Sequence, residues 1–138
     1  MSDKMKSVVV EIEWVEHNFA AHAPALKGCV ATGDTPEEVR KNISEAIKWH
    51  VESSLEDGDP LPEVFKDEFE LSFKFDTMSL LQYYKGILGN KGVERLTGIN
   101  SKQLNHYATG HRQPSERTKK KIAEGIHSFG RELIAVQL

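Results

Sequence analysis

The chain has 138 residues, room for one domain or two small ones, and 28% of them are charged. Its net charge of −3 hides a split: up to Thr77 there are 8 Lys+Arg against 17 Asp+Glu, and from Met78 onward 10 against 4, so an acidic stretch of −9 precedes a basic one of +6 suited to a polyanion. Cys29 is the only cysteine, which excludes an intramolecular disulfide; no apolar run is long enough for a membrane span, and MSDKMKS lacks a signal-peptide core, so a cytoplasmic protein away from membranes is expected.

In chain order, Ser7 to Glu16 alternates: Val8, Val10, Ile12 and Trp14 fall on one face of a strand, Val9, Glu11, Glu13 and Val15 on the other. His17-Asn18 is a turn, and Phe19 to Ala23 returns as the second strand of a hairpin. Its small residues allow close packing, so Phe19, Ala21 and His22 are candidate partner-binding positions. Cys29 to Gly33 is a short third strand. Thr35, Pro36 and Glu38 form a capping box with proline at the first helical position. The helix they open carries an apolar stripe through Val39, Ile43, Ala46, Ile47, His50, Val51 and Leu55. Asp57-Gly58-Asp59-Pro60 ends it, and Phe69 to Phe75 alternates as a fourth strand. The order β-β-β-α-β predicts an α+β domain with a helix on one sheet face and nothing assigned to the other.

Glu11, Glu13 and Asp34 raise one enzymatic possibility, since two-metal nucleases hold their ions about 3.5–4 Å apart with clustered carboxylates. A solvated strand face plus helix capping explains the same residues, and no catalytic or metal residue is assigned.

The run Phe19-Ala20-Ala21-His22-Ala23-Pro24-Ala25-Leu26-Lys27-Gly28-Cys29-Val30, then Gly33-Asp34-Thr35-Pro36-Glu37-Glu38, and the closing Glu56-Asp57-Gly58-Asp59-Pro60-Leu61-Pro62 resemble the N-terminal domain of HicB-family antitoxins. The resemblance implies a partial RNase H-like fold that binds a toxin and does not catalyse. The family's usual acidic-Gly turn before the second strand is replaced by Glu16-His17-Asn18, which bears only on the tightness of the hairpin.

The basic half reads as short helices. One runs from Leu80 to Leu88, capped by Thr77 or Ser79, with Leu80, Leu81, Tyr84, Ile87 and Leu88 inward. Lys91 to Leu96 is a second, ended by Thr97-Gly98. Gly98-Ile99-Asn100 is a tight turn, and Ser101 is expected to cap the third helix, which Gly110 ends. Ser115 caps a fourth, with Ile122, Ile126, Phe129 and Leu133 inward. Tyr107-Ala108-Thr109-Gly110, Arg112-Gln113-Pro114-Ser115, Thr118 and Lys121-Ile122-Ala123 resemble the ending of the lambda-repressor-like, or Xre-type, helix-turn-helix class. In such a domain the third helix enters the major groove. Ser101, Lys102, Gln103, Asn105 and His106 can then reach base edges, Asn90 and Lys91 can hold a phosphate, and Arg112 and Arg117 contact the backbone.

The expected architecture is therefore residues 1–76 as a toxin-binding α+β domain and 77–138 as an all-α DNA-binding domain. The expected function is that of an antitoxin in a HicAB-type pair. It would neutralise a small RNA-cleaving HicA-like toxin and repress its own operon through double-stranded operator DNA. A homodimer or higher homo-oligomer is expected, because paired half-sites multiply discrimination, and no cofactor is expected. The alternative is an orphan helix-turn-helix regulator whose first domain oligomerises or senses a ligand.

Overall fold

The computed structural model describes residues 5–138, so the first four residues of the expected leaderless N-terminus lie outside it. The chain divides into two compact units, Met1–Phe75 and Asp76–Leu138.

The first unit is a four-stranded mixed sheet with one long helix. Strands β1 (Lys6–Val15), β2 (Asn18–His22) and β3 (Val30–Gly33) precede helix α1 (Pro36–Asp57), and β4 (Phe69–Lys74) follows it, so the β-β-β-α-β order expected of an α+β domain is present. The sheet order is β3-β2-β1-β4, with β4 parallel to β1 and the other pairs antiparallel. Alternation decides what is buried: Val8, Val10 and Ile12 of β1 and Phe19 and Ala21 of β2 point inward, where Val39, Ile43 and Ile47 of α1 join them in the core. Each of these Val, Ile and Phe side chains contributes roughly 1.5–3 kcal/mol on removal from water. Thr35 caps α1 by accepting from the Glu38 amide at 3.1 Å, and Gly58 closes it in the left-handed conformation. Gly33 is where the sheet meets that helix start: a Cβ there would lie 2.4 Å from the Val39 amide nitrogen.

Four expectations for this unit are corrected. Leu55 is exposed, and Ser54 takes the last buried place on α1, because a turn of 3.6 residues carries the stripe from Ile47 past Val51 to position 54. The hairpin turns on Glu16-His17, with Glu16 at a φ of 56° and Asn18 already paired with Val15. The third strand begins at Val30 rather than Cys29, and the fourth ends at Lys74 rather than Phe75. Between α1 and β4 an unforeseen 3-10 turn, Glu63–Lys66, buries Phe65 against the Phe69 ring, 5.2 Å between centroids.

The second unit is helical: α2 (Thr77–Tyr83), α3 (Asn90–Thr97), α4 (Ser101–Ala108) and α5 (Glu116–Ile134). Leu81, Val93, Leu104 and Tyr107 form its core, with Leu88, Ile99 and Ala108 packed against them. Helix α2 is capped by Asp76, whose carboxylate accepts from the Ser79 amide at 2.8 Å, so it starts before the Thr77 or Ser79 caps and stops at Tyr83, not Leu88. Ile87 is consequently outside the helix and 82% exposed rather than inward. Helix α5 is capped by Ser115, as expected, and buries Ile122. Leu133 near its end is exposed, not inward. Gly125 lets α5 lie against α3, since a Cβ there would come within 2.8 Å of the Leu96 carbonyl oxygen.

Candidate functional site

Two surfaces, one in each unit, carry some of the predicted residues. In the second, α3 ends on Gly98, which adopts a φ of 78° and donates its amide to the Glu94 carbonyl at 2.7 Å. Thr97 steadies the same bend: its hydroxyl donates to the Val93 carbonyl and accepts from the Ile99 amide. Asn100 then caps α4, its side-chain oxygen accepting from the Gln103 amide at 2.9 Å. Ser101 is thus the first helical residue, not the cap. Glu94 has claimed it: one carboxylate oxygen accepts from the Ser101 amide at 3.2 Å and from its hydroxyl at 2.5 Å. The Ser101 hydroxyl bond above all, helped by the amide bond and the Lys91 charge, holds the Glu94 carboxyl below its usual range against the opposing effect of burial. Across the unit, the Gln82 side chain donates to the Ala108 carbonyl at 2.7 Å and ties α2 to the end of α4.

With Leu104 and Tyr107 buried, α4 turns its other side outward. Lys102 and Asn105 are exposed, and Ser101, Gln103 and His106 are half-buried. The Gln103 amide nitrogen donates to the Tyr107 hydroxyl at 2.9 Å, which fixes the side chain on the helix surface. Clefts flank the helix on both sides. One, about 460 Å³, is lined by Ile99, Asn100, Lys102, Gln103, His106 and Arg112. The other, about 300 Å³, includes Lys85, Asn90, Asn105 and Thr109. Lys91 and Arg117 are exposed at the first turns of α3 and α5 and line neither cleft.

Sequence reasoning missed Lys85, Thr109 and His111. Thr109 could have been found from its i,i+4 spacing to Asn105, whose carbonyl its hydroxyl bonds at 3.0 Å. His111 carried no periodic signal, because Gly110 at a φ of 77° ends the helix and turns the chain back on it. The His111 ring lies 4.9 Å from that of His106.

In the first unit, no helix among the described residues covers the face of the sheet away from α1. Pairing places Glu11 beside His22 and Lys74, His22 beside Val30, Glu13 beside Ala20, and Val9 beside Ser72. Val9, Val15 and Val30 are exposed there, and Glu11 meets His22 at 3.4 Å. Of the three partner-binding candidates only His22 lies on this face. Phe19 and Ala21 are 2% and 3% exposed and belong to the core beneath it, because β2 alternates and they share the inward phase. Among the described residues no group of His, Cys, Asp and Glu comes together that could hold a metal ion, so Glu11, Glu13 and Asp34 do not form a two-metal cluster. Among those residues, too, no helix is long and apolar enough to cross a membrane.

Residues 7–72, nearly all of the first unit, match the family described as HicB-like antitoxin of bacterial toxin–antitoxin systems. A UPF0150 protein of Synechocystis sp. is 41% identical over 56 residues, 41% of this chain and 70% of that protein. A UPF0150 protein of Thermoplasma acidophilum is 33% identical over 58 residues, 42% of this chain and 84% of that protein. A 14.9 kDa protein from the rep-hol intergenic region of Haemophilus phage HP1 is 41% identical over 51 residues; there the chain spans 37% of its own length and 38% of the relative's. No solved structure matches the chain.

Proposed function

We propose, from the fact that the chain belongs to the HicB-like antitoxin family of bacterial toxin–antitoxin systems, that its first unit masks a small basic HicA-like toxin that cleaves RNA. The observation that carries the reading is the family match itself, which covers the sheet and α1 almost from end to end. The open sheet face is the surface assigned to the toxin: His22 with Val9, Val15 and Val30 at the contact, Phe19 and Ala21 supporting it from below. Divided at Asp76, the first unit carries 8 Lys+Arg against 16 Asp+Glu, which favours a basic partner. No catalysis is assigned.

The second unit is read as a helix-turn-helix that binds operator DNA, as a dimer, and represses its own operon. The reading is supported by the three-residue turn into α4, the polar outward side of that helix, and clefts on both flanks where the two phosphate walls of a major groove would run. Lys102, Asn105 and Gln103 are assigned to base edges, Ser101 to the start of the contact, and Asn90, Lys91, Arg112 and Arg117 to phosphates.

Two experiments test the halves separately. Co-expression with the product of an adjacent gene for a short basic protein should relieve that protein's toxicity; persistence of growth arrest would sink the antitoxin assignment. Lys102→Ala and Asn105→Ala should each weaken binding to a duplex from the upstream intergenic region by about 1–3 kcal/mol per lost base contact. Unchanged affinity in both would mean α4 does not read the DNA.

A further inference from the structure

We propose that the cleft between α4 and the loop after it is a proton-linked seat for a backbone phosphate of duplex DNA, with His106 as the group that takes up the proton. The inference rests on the DNA-binding reading of the second unit and assigns His106 to the phosphate backbone instead of a base edge.

The cleft has the chemistry of an anion site. Its lining is Ile99, Asn100, Lys102, Gln103, His106 and Arg112, two fixed cations and no acid. The loop is folded back to make it: the Arg112 amide donates to the His106 carbonyl at 3.1 Å, and the Gly110 amide to that of Tyr107 at 3.2 Å. This return sets the rings of His106 and His111 4.9 Å apart at 55°. His106 Nδ1 is buried and has no hydrogen-bond partner, so contact with a ligand falls to Nε2.

The charges around His106 set the direction of the proton. Lys102 faces it from its own helix, and His111 and Arg112 from the loop. Arg112 also lines a neighbouring cleft with Asp76, at the start of α2, and Lys119 of α5. The acid of α3, Glu94, is bonded to Ser101. Burial first, then the charges of His111, Arg112 and Lys102, hold His106 below its ordinary 6.5, so it is neutral in the free protein at pH 7. A phosphate entering the cleft offsets those cations and favours the imidazolium. A group whose pKa rises on binding takes up a proton on binding, so affinity must increase as pH falls between the two pKa values.

The test is fluorescence anisotropy of the full chain on a random-sequence duplex of about 30 bp, at fixed salt, from about pH 8 to pH 6, since a phosphate contact needs no particular sequence. Affinity should rise by up to about tenfold per pH unit, the limit for one proton. H106Q should lose most of that dependence while still binding at the alkaline end. H127Q, which alters an exposed α5 histidine, should keep it. An equal slope in H106Q overturns the proposal. Binding without any slope overturns it too, whereas no binding at any pH overturns the DNA reading beneath it. NMR titration of the His106 ring in the unsubstituted chain gives an answer even if H106Q does not fold. Its pKa should rise on adding the duplex, and no rise overturns the proposal. An equal rise with millimolar inorganic phosphate alone would make free phosphate, not DNA, the occupant.

Discussion

Glu16 shows how a single residue can sit against its own preference. It is the one non-glycine residue with a positive φ among those described, at 56°, in the two-residue turn between β1 and β2. An L-residue pays about 1–2 kcal/mol for that conformation, and glycine does not. Glu16→Gly should therefore raise the stability of the first unit by up to about 1 kcal/mol in urea unfolding, after allowance for the greater freedom of unfolded glycine. Gly33→Ala should do the reverse, by about 1–3 kcal/mol on the same measurement, because its methyl would overlap the Val39 backbone. His106 adds a pH prediction for the free protein. Its folded pKa lies below 6.5, so the unfolded chain binds more protons in that interval. The second unit should accordingly lose stability as pH falls below about 6.5, and H106Q should remove that loss in pH-dependent thermal melts. At this scale, inward β1 residues were legible because strict alternation leaves one choice. Phe19 and Ala21 lie in the core and not on the contact face; a strand rich in small residues reads equally as a contact surface or as a close-packed core. Their phase was fixed only by pairing with Trp14 and Ile12. Asn100 caps α4 where the sequence predicts Ser101; both residues are good caps. Glu94, seven residues away, decides between them, and nothing local announces it.

For whole elements, legibility followed the strength of end signals. Helix α1 starts where Thr35, Pro36 and Glu38 say it should, and closes on Gly58. Helix α2 starts and stops earlier than the sequence predicts, because Asp76 supplies the cap and the helix ends at Tyr83 although Ile87 and Leu88 extend its apolar pattern. The 3-10 turn with Phe65 had no periodicity to reveal it; it exists to bury one aromatic ring. The order of α3, turn and α4 was readable from Gly98, since a left-handed residue at a helix end calls for glycine. Asn100→Ala should cost about 1 kcal/mol of stability by removing the α4 cap. On the DNA-binding reading it should also weaken duplex binding more than an exposed substitution such as Lys120→Ala, comparing circular dichroism melts with anisotropy. Equal effects of the two variants on DNA would separate helix capping from binding.

The molecule as a whole pairs an acidic sheet unit with a basic helical one, and the charge split was the plainest message of the sequence. The uncovered sheet face was legible only as an unexplained surface, since a sequence names its own residues and not those of a partner. If the two roles are separate, Val30→Glu, on the outer edge of that face, should cost about 2 kcal/mol or more in toxin affinity by burying an unpaired charge. It should leave duplex binding intact when both are measured on the full chain. Duplex binding should in turn weaken steeply with salt, as counterion release requires, and a flat salt dependence would argue against phosphate contacts. The parallel pairing of β1 with β4 has a further consequence, in time. Lys6 waits for Phe69, so β1 lacks its second neighbour until some sixty more residues have been made. At about 5–20 residues per second on the ribosome, that is several seconds in which a growing chain carries a bare strand edge. A chain cut short before Phe69 keeps that edge permanently, a flaw that quality-control proteases and sticky neighbouring strands can both exploit.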